Sequence, residues 1–335
     1  MKKALVGVFV LSFFVFAGIR WEKIIRAGED GNKVSLLFLP SDMVFGEKDS
    51  VYVIDLKGCV LRKYSKEGKL LKETGRKGNG PGEFRAPFSI FLEAKRIYVW
   101  DMKLRRISVF DNKLAFINSF RLPFNINDFF IADGKIYASV SSPGELANIF
   151  VLNNKGEVIK KVLDVLPHYL KRRDRWLFLN RVRFGFLVVN YNTGLKKAVA
   201  TFRGYDNGNY LYIFSPGEEK FERVPLNLFR KYRFPDFLLR IPLKYPPESR
   251  IFYVEAIHLL DDGKILLNLI EKKREKNRIT SNRTFLVILG SDGEIKALRV
   301  LTGYWRTYDV KKGTVLMRNF EEEEIFEIWR ISSGS

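Results

Sequence analysis

The chain has 335 residues, 46% of them hydrophobic and 14% aromatic, with a formal net charge of +20. That apolar content excludes intrinsic disorder, which needs low hydrophobicity, and one cysteine, Cys59, excludes an intrachain disulfide framework. The basic excess favours anionic partners.

The first 17 residues differ from the rest. Lys2 and Lys3 precede an uncharged, mostly apolar run from Ala4 to Ala17, with small residues at Val15 and Ala17. This is the pattern of a cleavable secretory signal, and it is shorter than the roughly 20 residues a spanning helix needs. The expectation is a signal peptide at 1–17 and a single folded domain at 18–335, secreted or periplasmic, with no transmembrane segment in the mature chain. In such a compartment nucleic acid is an unlikely partner. An acidic ligand, an anionic glycan or an acidic protein partner suits the charge better, and the chain is expected to be a monomer.

A strand-and-turn pattern then recurs. Val51-Tyr52-Val53-Ile54-Asp55 returns as Ile97-Tyr98-Val99-Trp100-Asp101, with weaker copies at 136–138, 198–200, 265–267 and 314–316. Several follow hairpin signals such as Ala132-Asp133-Gly134-Lys135 and Asp261-Asp262-Gly263-Lys264, where Gly accepts the positive φ that tight turns need. A second marker, an apolar residue followed by a polar turn, occurs at Tyr64, Phe110, Leu152, Phe214, Leu289 and Ile331. Six copies at a spacing near that of a four-stranded blade predict an all-β, six-bladed β-propeller with insertions after the third and fourth copies. The last copy leaves no chain for a fourth strand, while 20–28 has the pattern of one. That segment is therefore expected to join the last blade and close the ring, which protects blade edges.

The stretch Gly75-Arg76-Lys77-Gly78-Asn79-Gly80-Pro81-Gly82-Glu83-Phe84-Arg85-Ala86-Pro87 resembles the blade-joining signature of NHL-type repeats and of the related bacterial six-bladed propeller family. The resemblance implies the fold and a habit of export. Some propellers of this kind are metal-dependent lyases or lactonases, so it also raises a catalytic alternative.

Long connections are predicted at 139–148, 162–184, 203–209, 222–252 and 271–283, all on one face of the ring, where binding residues usually gather. They are basic. Arg172, Arg173, Arg175, Trp176, Arg181 and Arg183 in one, and Lys272, Lys273 and Arg274 in another, are the candidate ligand-binding residues, because Arg beside aromatics suits carboxylate, phosphate or sugar-acid groups. A short helix is expected over 163–178. Two histidines, His168 and His258, exclude a three-His zinc site within one chain. Asn127, Asp128 and Glu255 fall near inner strands and are candidates for a calcium site. No Gly-x-Ser-x-Gly or P-loop motif occurs. Asp55 and Asp101 end equivalent strands, a position that suits turn capping.

The first functional reading is a binding or interaction scaffold, a non-enzyme without a cofactor. The alternative is a metal-dependent lyase or lactonase-like hydrolase acting on a sugar acid or lactone at the propeller channel, with a divalent cation such as calcium.

Overall fold

In the computed structural model the described residues are 19–27, 39–142, 145–164, 187–202, 210–218, 221–226, 249–275, 278–321 and 326–333. The candidate residues at 172–183 lie outside them. The first strand is β1 (Ile19–Ala27). Blade one is β2 (Pro40–Phe45), β3 (Val51–Asp55), β4 (Val60–Tyr64) and β5 (Leu70–Thr74). Blade two is β6 (Pro87–Glu93), β7 (Arg96–Asp101), β8 (Arg106–Asp111) and β9 (Phe116–Arg121). Blade three is β10 (Asp128–Ala132), β11 (Lys135–Ser142), β12 (Glu145–Leu152) and β13 (Val158–Asp164). Blade four is β14 (Leu187–Asn192), β15 (Lys197–Phe202), β16 (Tyr210–Phe214) and β17 (Phe221–Pro225). Blade five is β18 (Ser249–Leu259), β19 (Ile265–Glu275), β20 (Arg278–Leu289) and β21 (Ile295–Thr302). Blade six is β22 (Trp305–Lys311), β23 (Thr314–Asn319) and β24 (Phe326–Ser333), and β1 pairs antiparallel with β24 as its fourth strand.

The fold is thus an all-β, six-bladed propeller. Among the described residues six apolar clusters hold it, one between each pair of neighbouring blades. Blades one and two bury Tyr52, Ile54, Phe84, Ile97, Val99 and Phe110 between them. Blades six and one share Met43, Phe45, Val51, Tyr64, Leu316 and Phe326, so the last blade packs on the first. The alternation that makes these clusters is legible in the strands. Val51–Asp55 is buried on both faces because each inner sheet has a neighbour on either side, whereas the outer strand β9 is mostly exposed.

The turns obey their sequences. Asp133 and Gly134 both have positive φ, 51° and 68°, as a type I′ hairpin requires. Asp55 caps its turn by accepting N–H bonds from Leu39 (3.1 Å), Lys57 (3.1 Å) and Gly58 (2.9 Å), and Asp101 does the same for Arg85, Ala86 and Leu104. In the glycine-rich link, Gly75 has φ +94° and a Cβ there would lie 2.7 Å from the Phe84 ring, so two reasons fix glycine at that position.

Two expectations change. The segments 139–148 and 271–283, expected to be long connections, are largely strand where they are described: β11 and β12 run up to either side of 143–144, and β19 and β20 pair as far as Glu275 with Arg278. They are long hairpins whose polar composition hid the strand. The helix expected at 163–178 also fails where it is described, because Leu163 and Asp164 belong to β13 and pair with Ile149 and Asn148; the remainder lies outside the described residues.

Candidate functional site

The first strand of every blade runs along the propeller axis, and together they line a cavity of about 250 Å³. Its wall is contributed by 42–44, 88–91, 127–130, 188–191, 255–258 and 306–309. Four of these strands carry a β-bulge at that level. The register shifts fall between Pro40 and Asp42, Pro87 and Ser89, Val254 and Ala256, and Thr307 and Asp309. A bulge breaks the two-residue period and re-aims side chains, which is how polar residues enter an otherwise apolar axis.

These polar side chains form a ring of clamps between blades. Asp42 accepts from Met43 N–H and from Ile90 N–H of blade two, each at 2.9 Å. Asp309 accepts from Val310 N–H and from Phe45 N–H of blade one, each at 2.8 Å. Asn190 takes Leu259 N–H of blade five, and Asn268 takes Thr307 N–H of blade six, both at 3.0 Å. The Ser89 hydroxyl lies 3.1 Å from Asp42 Oδ2 and 3.3 Å from Asp128 Oδ1, so it donates its single proton to one carboxylate and can accept from the other when that one is protonated. Asp128 is the least committed of the three carboxyls. Its Oδ1 also accepts Phe129 N–H at 2.9 Å, but among the described residues its Oδ2 has only Val189 N–H, at 3.4 Å.

Burial raises the Asp42 carboxyl above its ordinary range. Burial, reinforced by the nearby charge of Asp42, pushes Asp128 up to about 7. Burial also pushes Asp309 up to about 7, against the two N–H bonds it receives. Opposite them stands Arg306. Burial works against its charge, but Glu255, with its Oε1 3.6 Å from Arg306 Nε, holds the guanidinium firmly protonated, with help from Tyr308 and Asp42. Arg306 also donates to the Ser41 carbonyl at 3.3 Å. His258 Nε2 meets Thr307 Oγ1 at 2.9 Å, and burial depresses its pKa to about 4, so it is neutral at physiological pH.

Of the residues picked from sequence, Asn127, Asp128 and Glu255 all line this cavity. Lys272 sits on the tall hairpin of blade five, its ammonium 5.2 Å from the Tyr253 ring and 5.1 Å from the Tyr304 ring. Lys273 is exposed on the same strand, and Arg274 pairs with Ser249 and Ile279. Sequence reasoning missed Asp42, Ser89, Asp309, Arg306 and His258. The available signal was a short polar residue at the same place in most repeats, seen in Ser41-Asp42, Phe88-Ser89, Asn127-Asp128 and Tyr308-Asp309.

The cation expected for the catalytic alternative does not fit these residues. Among the described residues no group of three or more His, Cys, Asp or Glu converges as a metal site. The oxygens of Asp42 and Asp309 already accept backbone N–H groups, and the Arg306 guanidinium acts on Asp42.

Comparison with known proteins agrees with the architecture. A family model described as a 6-bladed beta-propeller matches residues 42–166, the first three blades. No curated protein matches the sequence. Among solved structures, a member of the DUF4221 family from Bacteroides vulgatus superposes with a TM-score of 0.61 at 12% identity, over 95% of this chain and 99% of that one. A putative exported protein from Bacteroides fragilis gives 0.55 at 12% identity, over 95% and 96%. A gluconolactonase from Xanthomonas campestris gives 0.52 at 9% identity, over 89% and 87%. The last corrects the preference for a non-enzyme. The same six-bladed architecture, over most of both chains, is the frame of an enzyme, and the absence of familiar motifs in the sequence was no argument against catalysis. The likeness is one of fold; the chemistry has to be argued from the axial cavity.

Proposed function

We propose that this protein is an enzyme of lactonase or lyase type, acting at the axial cavity on a sugar lactone or sugar acid. The observation that carries this reading is Asp128: a carboxyl deep in the cavity, titrating near neutrality, with one oxygen held only by a 3.4 Å contact. A general base works best with a pKa near the working pH. For a lactone the step balances as follows. Ionised Asp128 takes a proton from water while the water oxygen bonds to the ring carbonyl carbon. Arg306 supplies the positive charge for the oxyanion. The ring C–O bond then breaks and the proton passes to the departing ring oxygen, leaving a hydroxy acid that ionises in solution. Ser89, between Asp42 and Asp128, holds Asp128 in place. The chain's own residues carry every step.

The test is a panel of five- and six-membered sugar lactones and sugar acids with wild type and Asp128→Asn. Turnover by wild type and a loss of about 10²–10⁴-fold in the variant, with an unchanged melting temperature, support the reading. Full activity in the variant, or no turnover of any panel member, refutes it.

Three further points belong to the same proposal. Residues 1–17 are a cleaved export signal ahead of a single domain at 18–335, and the chain is a secreted or periplasmic bacterial propeller with NHL-like repeats, as the link at 75–87 suggests. The pairing of β1 with β24 is the clasp that keeps the ring shut. The basic residues at 172–183 and 272–274 are proposed to attract acidic partners; of these, Lys272, with its ammonium over the Tyr304 ring, favours this.

A further inference from the structure

We infer that the axial cavity selects an uncharged, hydroxyl-bearing ring and turns away carboxylates, so that of the two substrate classes above the lactone enters and the sugar acid does not. This rests on reading the cavity as the substrate site and adds its specificity. The first observation is the balance of charge. Asp42, Asp128, Glu255 and Asp309 all line the cavity, against Arg306 as the one cation among its described lining residues. In the free protein Glu255 balances that cation, so an entering carboxylate finds no net positive charge, whereas the oxyanion of the proposed step forms beside Arg306 only after an uncharged ring has bound. Arg306 lies 3.6 Å from Glu255 and is held to the Ser41 carbonyl. An entering carboxylate would have to displace Glu255 or face the remaining acids across a narrow, poorly screened space. The basic charge of the chain as a whole, +20, is therefore reversed at its axis.

The second observation is independent and points to a ligand. His258 and Tyr308 line the cavity, with 3% and 8% of their surfaces exposed, and His258 Nδ1 and Tyr308 OH have no hydrogen-bond partner among the described residues. Buried polar atoms without partners are rare and call for an explanation. Burial keeps both groups uncharged at neutral pH. Whichever ring nitrogen of His258 carries its proton, a hydroxyl serves, because it both donates and accepts. A carboxylate only accepts. Phe88, Phe91, Val188 and Ile257 supply apolar wall for the carbon face of a ring. Placing an uncharged lactone here and forming an anion from it also gives the product a reason to leave.

The probes are a matched pair: gluconolactam, an uncharged ring that the proposed step does not open, and gluconate, its open-chain anionic counterpart. Isothermal calorimetry on the full chain at pH 8 should find the lactam bound at least about tenfold more tightly, a difference of about 1.4 kcal/mol. Glu255→Gln releases Arg306 and removes one negative charge, so the gap should fall below about threefold, the smaller part of that energy. A second measurement needs no variant. In wild type the gap should shrink at pH 5.5, where Asp128 and Asp309 are protonated. The charged groups facing Asp128 are Asp42 and Arg306, those acting on Asp309 are Asp42 and Lys311, and His258 stays neutral over that range. Gluconate binding as tightly as the lactam at pH 8 overturns the charge selection and leaves the cavity reading intact. Binding of neither probe overturns both.

Discussion

Replacing Asp309 by Asn should alter the pH dependence of stability more than stability itself. Asp309 clamps blade six to blade one through two N–H bonds of 2.8 Å. Its pKa is about 7 in the fold, against 3.8 ordinarily. A carboxyl raised on folding contributes stability that is full below the unfolded value and is lost as pH rises through the folded one. Each pH unit in that window costs about 1.4 kcal/mol per group. Between pH 5 and 8 the wild type should therefore lose about 3 kcal/mol through Asp309 alone. The amide cannot ionise, so it lacks this loss. It instead turns an NH2 toward one of the two backbone donors, at a pH-independent cost of about 1–3 kcal/mol. Urea unfolding followed by tryptophan fluorescence should find the variant less stable at pH 5 and level with, or above, wild type at pH 8. A constant difference between the two proteins across that range would refute the raised carboxyl.

Other substitutions probe the frame. Phe84→Ala, at a side chain with no exposed surface packed against Phe110, should cost about 3–5 kcal/mol in the same assay; a cost under about 1 kcal/mol would mean that the glycine-rich link does not anchor blade two. Arg62 is paired with Asp55 and Glu73, and Asp55 is fully buried. Arg62→Ala should therefore destabilise by about 3 kcal/mol, more than the near-zero effect of Lys66→Ala, whose ion pair is exposed. Removing residues 19–27 leaves β24 with an unpaired edge, so melting temperature should fall and self-association should rise in light scattering; an unchanged melting point would remove the clasp.

The fold was legible because its markers are local. Tight turns such as Asp133-Gly134 and doubly buried strands such as 51–55 announce themselves by residue type, and six of them at blade spacing leave few alternatives. The tall hairpin of blade five was not legible. Glu271-Lys272-Lys273-Arg274-Glu275 lacks the apolar alternation of a half-buried strand, because it extends past the core and is held by backbone pairing to 278–283. The axial site was only partly legible for a different reason. Asp128 and Glu255 stood out as acids near inner strands. Asp42 and Asp309 look like ordinary turn residues, and what sets them apart is a bulge and a partner one blade away, separated in sequence by 48 and 264 positions. Arg306 belongs with Glu255 only once the ring brings blades five and six together.

The claim that this axial cavity is catalytic is tested most directly by kcat/KM for a sugar lactone against pH, in wild type and Asp128→Asn. The account predicts a rate in wild type that rises as Asp128 ionises, with a midpoint near pH 7, and a flat, much lower profile in the variant. A variant that keeps the wild-type rate and its midpoint would contradict it.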